Sequence, residues 1–278
     1  MFILKVGQTS YDNKTMSEES KELVLRFDSI CELCQKKLTK SSKGKYFATR
    51  KKVQCLSHEN ITTVGNAGKS AQDKAIAVEA KYKENVESIK YIGKLIYPFL
   101  DPSKEAQKWA KGAKGERKVG KILDEIALEN NFKVLHDRTI PKSKANIDHI
   151  LVTPKGVFII DAKNYKGKVE IRNDGGWFST EKDKLIVDGR NRSKLVEGLK
   201  WQISRIEEEV AKNKLVPDLV GVLGFVDAQW PFFGKPLEVD GVFLNSKGFT
   251  HIINNFNPSV ECDVDKVFFF IEKIFKAK

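Results

Sequence analysis

Two hydrophobic periods alternate along this chain. Ile147–Val152 and Val157–Ile160 are short runs of β-branched and aromatic residues split by Pro154, Lys155 and Gly156, which predicts a hairpin. Further strands are expected at Phe2–Val6, Leu23–Phe27, Phe132–Asp137, Lys168–Arg172, Lys184–Val187, Leu219–Val226 and Val242–Leu244. Elsewhere the period lengthens to three or four. Val78, Tyr82, Val86, Ile89 and Ile96 predict a helix from Lys69 to Tyr97, stopped by Pro98. A second helical stretch starts at Asp101, Pro102 and Ser103 and runs through Trp109 to Asn131, with a break expected near residues 112–115. Glu116 then falls at the start of the helix that continues, where a carboxylate is comfortable on electrostatic grounds alone. Leu195, Leu199, Ile203 and Ile206 predict a helix from Ser193 to Lys212, and a terminal helix is expected over Asp263–Lys276. Strands and helices mixed in this order imply an α/β protein.

The hairpin carries the most chemistry per residue. Side chains two apart on a strand share a face, so Asp161 and Lys163 point the same way, and the hairpin brings Asp148 alongside them. Two carboxylates beside one ammonium, in an otherwise apolar sheet, form a costly arrangement for a core. They suit a hard divalent cation such as Mg²⁺, which takes carboxylate oxygens and keeps several waters. The spacing equally admits a surface salt bridge at a strand end, which contributes little. His149, beside Asp148, falls on the opposite face by alternation, and His136 reads as a strand residue with a satisfied hydrogen bond.

Asp148 followed by Asp161, Ala162 and Lys163 resembles the PD-(D/E)XK nuclease signature. Gly115-Glu116-Arg117, Ile140-Pro141, Ile147-Asp148-His149-Ile150, Gly156-Val157-Phe158, Asp161 through Gly167 and Trp201-Gln202 together resemble the NERD (nuclease-related) domain over about residues 110–250. Asp161 stands where Glu is the commoner choice, and both belong to the pattern. The resemblance implies a restriction-endonuclease-like core with a mixed central sheet flanked by helices. It also implies hydrolysis of phosphodiester bonds, DNA favoured, with Mg²⁺ or Mn²⁺ held by Asp148, Asp161, Glu116 and the Ala162 carbonyl. By the same resemblance Lys163 and Gln202 position the attacking water. The rival readings are a catalytically inactive nucleic-acid-binding or adaptor protein that keeps the nuclease fold, and another phosphoester hydrolase built on the same metal site.

Composition adds a partner and a second metal. Of a net charge of +12, most sits upstream of the hairpin: residues 1–115 hold 22 Lys+Arg against 13 Asp+Glu. An anionic partner, most simply a nucleic-acid backbone, favours that placement, although solubility alone also accounts for it. Cys31 and Cys34, then Cys55 and His58, have the pair spacing of a Cys₃His zinc ribbon holding a structural Zn²⁺. Lysines interleaved with Tyr46 and Phe47 between the pairs suit contact with nucleic acid. Disulfides fit less well, since nothing marks the chain for secretion, and an HNH-type nuclease lacks its His-Asn-His set. Cys262 reads as a small buried hydrophobe.

The expected organisation is a zinc-ribbon-like module over 1–64, a helical connector over 65–109 and the nuclease domain over 110–278. The helix over 69–97 either lies on its own domain or pairs with a second copy as a homo-oligomer contact. No apolar run reaches bilayer length, so no membrane partner and a cytoplasmic location are expected.

Overall fold

The computed structural model describes residues 20–33, 36–49, 51–56, 61–89, 94, 97–173, 183–231 and 237–278. The expected strand Phe2–Val6 and the ligand candidates Cys34 and His58 lie outside them. The chain divides into two compact units, Met1–Glu59 and Asn60–Lys278.

In the first unit β1 (Ser20–Val24), β4 (Lys43–Phe47) and β5 (Lys52–Cys55) form an antiparallel sheet in the order β1-β4-β5, while β2 (Ser29–Ile30) pairs with β3 (Lys37–Leu38). Its strand β1 starts three residues before the expected Leu23. A small core of Leu25, Cys31, Leu33, Leu38, Phe47 and Cys55 is buried beneath these strands. Cys31 Sγ accepts the Cys55 N–H at 3.4 Å, so the two cysteines of the expected zinc set that are described lie together.

The second unit is built on a seven-stranded mixed sheet. Its strands are β6 (Thr63–Val64), β7 (Lys133–Thr139), β8 (Asn146–Thr153), β9 (Gly156–Lys163), β13 (Leu219–Phe225), β15 (Glu238–Val239) and β16 (Val242–Leu244), in the order β15-β16-β13-β9-β8-β7-β6. The β7-β8-β9 meander is antiparallel, and β13 joins β9 in parallel, as a crossover connection requires. Seven consecutive residues of β9 are buried, the mark of a central strand covered on both faces. A smaller sheet, β12-β11-β10-β14, comprises β10 (Gly167–Arg172), β11 (Lys184–Val187), β12 (Arg190–Asn191) and β14 (Ala228–Gln229).

Five helices are described: α1 (Lys69–Glu87), α2 (Lys104–Asn130), α3 (Lys194–Lys212), α4 (Phe249–Asn255) and α5 (Val264–Ile274). Val119, Leu123, Ile126 and Ala127 of α2 and Phe249, Ile252 and Ile253 of α4 meet Leu151, Phe158, Ile160 and Val222 in one apolar cluster. Helix α3 packs on β13, where the missing Cβ of Gly221 makes room for Ile203 and Leu199, and α3 also meets α5. Helix α1 lies along α2 in the same unit, and Glu79 ties their connection by accepting the Tyr97 hydroxyl and the Ser103 N–H, both at 2.9 Å.

Two expectations fail here. Helix α1 ends at Glu87, well before Tyr97, and Ile89 beyond it is half exposed. More consequentially, α2 does not break at 112–115 but runs unbroken from the Ser103 cap to Asn130. The reason lies in packing rather than propensity. A Cβ on Gly115 would sit 2.7 Å from the Asn164 Cβ, and one on Gly120 2.5 Å from that of Ala67. These glycines are tolerated in a helix because they let it press against its neighbours. Glu116 is therefore a mid-helix residue, and a helix N-terminus does not explain it.

Candidate active site

Antiparallel pairing of β8 with β9 places His149 across from Ile160. One step further along the same ladder, Asp148 faces Asp161, on the side away from the His149 ring. Asp148 Oδ2 accepts the Ala162 N–H at 2.9 Å, which pins its carboxyl over the end of β9. Asp161 is buried, and its Oδ1 accepts from Lys163 Nζ at 2.5 Å. The Gly115 contact brings α2 onto Asn164, and the next residue, Glu116, is consequently buried beside these groups. Asn164 Nδ2 donates to the Lys111 carbonyl at 2.8 Å and ties the end of β9 to the helix.

Charge crowding shows in the protonation of the cluster. Burial first, then the negative charges of Asp161 and Glu116, push Asp148 well above the usual carboxylate range, and a hydrogen bond with Asp161 acts in the same direction. Glu116 is pushed up to about 7, chiefly by burial, with Asp137 and Asp161 adding to it and Lys163 and Lys74 opposing. Burial works against the Lys163 ammonium, but Asp161 and Asp148 outweigh it and hold Lys163 above the ordinary lysine value.

The cluster opens into a cleft of about 1010 Å³ lined by Glu116, Asp148, Ala162 and Lys163 and walled by basic residues of α1, α2 and β12. Gln202 does not line it. This residue sits half-buried on α3 with its Oε1 unpartnered. Nor do the histidines reach the cleft. His136 Nδ1 meets His149 Nδ1 at 2.8 Å and His136 Nε2 meets the half-exposed Asp124 of α2 at 3.0 Å, so two buried rings are tied to that helix. Burial, then His136, holds the His149 ring well below the usual histidine value; the Glu116 backbone opposes this without completing a hydrogen bond to Nε2.

Asp137 was not singled out by sequence, yet it is a buried neighbour of the site. Its carboxylate accepts the Ser70 N–H and hydroxyl, both at 2.6 Å, and Asn146 Nδ2 at 3.0 Å, so it caps the start of α1 and fixes a cleft residue. The only sequence signal was its place at the end of a strand.

A divalent cation can be tested against these groups. The donors are hard carboxylate oxygens, and Glu116 Oε2 is buried without a hydrogen-bond partner, a cost that a cation would offset. Among the described residues, no three His, Cys, Asp or Glu side chains already stand in ligand range of one point. The Asp161–Lys163 and Asp148–Ala162 hydrogen bonds occupy oxygens that such an ion would share. The donor set fits a hard cation in chemistry, with its oxygens turned to one another.

Residues 111–226 match the family model of the nuclease-related domain. The chain carries a NERD domain. That segment holds Glu116, Asp148, Asp161, Lys163 and Gln202, and it begins inside α2, so α1 and the first turns of α2 lie outside it. An uncharacterized protein of Bacillus anthracis is 36% identical over 67 residues, 23% of this chain and 31% of that protein. The match thus spans about a third of that relative's length. No solved structure matches the chain. No helix among the described residues is long and apolar enough to cross a membrane.

Proposed function

We propose that the NERD domain is a Mg²⁺- or Mn²⁺-dependent nuclease that hydrolyses phosphodiester bonds, with DNA the favoured substrate. The observation that carries this is the convergence of Glu116, Asp148 and Lys163 at one basic-walled cleft, with Asp161 hydrogen-bonded to Lys163 and a Glu116 oxygen left unpartnered. Asp148, Asp161 and Glu116 would hold the cation, which supplies charge neutralisation at phosphoryl oxygen and a more acidic water. Lys163, cationic at any working pH, stabilises negative charge growing on the phosphoryl group. Without the ion burial pushes Glu116 up to about 7, so a cation held there would displace its proton near neutral pH. Gln202, set back from the cleft, has a role in this scheme only if α3 or its side chain shifts.

The test is incubation of plasmid, single-stranded DNA and RNA with and without Mg²⁺ or Mn²⁺, using wild-type protein and Asp161→Ala and Lys163→Ala variants. Metal-dependent cleavage lost in both variants supports the reading. An unchanged rate in the variants refutes it. The closed Asp161–Lys163 pair favours one second reading, a nucleic-acid-binding protein without hydrolysis, for which the same assay would show binding and no cleavage. For residues 1–64 the proposal is one structural Zn²⁺, supported by the adjacency of Cys31 and Cys55, and metal analysis of purified protein measures it directly.

A further inference from the structure

The walls of the cleft are unlike its floor. Trp109 is over a third exposed, and the Lys74 ammonium lies 4.4 Å from its ring centroid. Lys108 precedes it on the same helix. From the strand side, the Arg192 guanidinium lies 5.1 Å from the ring centroid of Tyr165, with Arg190 exposed next to it. Among the described residues none of these four cations is ion-paired, and Arg192 Nε is buried without a hydrogen-bond partner. One acidic side chain, Glu105, shares the wall. Lys74, Lys108 and Trp109 precede the segment that matches the NERD family, while Tyr165, Arg190 and Arg192 lie within it.

A surface that only attracts phosphate needs cations and no exposed rings. Rings paired with cations, open to a cleft, are what unstacked bases use: each base offers a π-face, and each phosphate meets an ammonium or guanidinium. Bases in a duplex are already stacked, and freeing one costs a few kcal/mol. We propose that the cleft takes single-stranded nucleic acid, a base stacking on Trp109 while Lys74, Lys108, Arg190 and Arg192 hold the backbone. This rests on the nuclease reading only for the cleavage step, since the strand can be held whether or not it is cut.

The test is fluorescence anisotropy of the full chain in buffer without added Mg²⁺ or Mn²⁺, where metal-dependent cleavage is absent and structural zinc is kept. The probes are 12-nucleotide single strands of DNA and RNA, the matching DNA duplex, and a 12-unit strand of abasic sugars. At least one base-bearing single strand should bind about tenfold more tightly than both the duplex and the abasic strand. Trp109→Ala should reduce that strand to the abasic level, while Trp109→Phe, which keeps a ring, retains most of the difference. Equal or tighter binding of the duplex overturns the proposal. So does an abasic strand bound as well as a base-bearing one, or a Trp109→Ala variant that still discriminates. Tight single-strand binding without cleavage on adding Mn²⁺ supports this inference and counts against the nuclease reading, so the two fail separately.

Discussion

Strand β8 places two buried polar clusters back to back. On one face Asp148 joins Asp161, Lys163 and Glu116 and looks into a cleft; on the other, His149 joins His136 and Asp124 beneath α2. Both lie against the same helix, and their first members are neighbours in sequence. On the histidine side burial holds the His149 ring well below the usual histidine value, and the two rings meet edge to face at 4.9 Å as an internal brace, with His149 Nε2 left unpartnered. The acidic side keeps its charges crowded, its protons shared and one oxygen unpartnered. Each face thus keeps one unpartnered atom, and what separates them is access: the histidines are closed off beneath the sheet's helix, while the acidic cluster opens into the cleft, where a ligand can reach it.

The largest effect should come from removing the acidic side. Asp148→Asn or Asp161→Asn should lower metal-dependent cleavage by at least about a hundredfold, the scale of losing a stabilising group at a reacting phosphate. Thermal unfolding should stay close to wild type, because each substitution also relieves charge crowding. A full rate in either variant would put the two faces on equal footing and remove the distinction.

Next comes the brace. His149→Ala removes a buried ring and strands the His136 Nδ1, a loss of about 3 kcal/mol in unfolding free energy by denaturant titration. Cleavage per folded molecule should change little. Loss of activity in a fully folded His149→Ala protein would mean that both faces serve the chemistry.

The two faces should also differ in pH response. Glu116 and Asp148 have raised carboxyl pKa values, so the folded chain holds protons that the unfolded chain has released. Their stabilising contribution is full below the ordinary carboxylate value and is lost as pH rises; for Glu116 the loss runs from 4.5 to about 7. His149, held well below the usual histidine value, contributes the opposite slope up to 6.5, so the Glu116 part is read without divalent ions as the difference between wild type and Glu116→Gln. Glu116→Gln should abolish part of the slope and gain about 2 kcal/mol at pH 8. Parallel profiles in wild type and Glu116→Gln would show that the crowding is relieved by other means.

The smallest effect expected is at the rim. Lys118 and Asp227 meet at 2.7 Å but are both substantially exposed, and breaking the pair should leave thermal unfolding close to wild type. A larger loss would show that the rim is as tightly coupled as the floor.

Much of this was legible in the sequence, and the reasons differ by element. The hairpin was clear because β-branched runs flank Pro154, Lys155 and Gly156, and alternation alone put Asp148 and His149 on opposite faces. The helix from Lys194 to Lys212 followed from its apolar stripe, with Ser193 at its cap. Helix α2 was misjudged because Gly112 and Gly115 signal a break to any local rule, while close approach to Asn164 is a tertiary fact. Helix α4, seven residues with no strong period, was missed for want of length. Asp137 stayed hidden because its partners are Ser70 and Asn146, the first 67 residues away in the chain. The pairing of Lys74 with Trp109 escaped notice for the same reason, since the two sit on different helices.

The central claim, that the acidic face of β8 is a divalent-cation site, is tested most directly by calorimetric titration of the protein with Mn²⁺ near pH 6. Binding should occur at one site in the second unit, release protons from Glu116 and Asp148, and vanish in Asp161→Asn. Millimolar Mn²⁺ without a binding isotherm, or an isotherm untouched by Asp161→Asn, would contradict it.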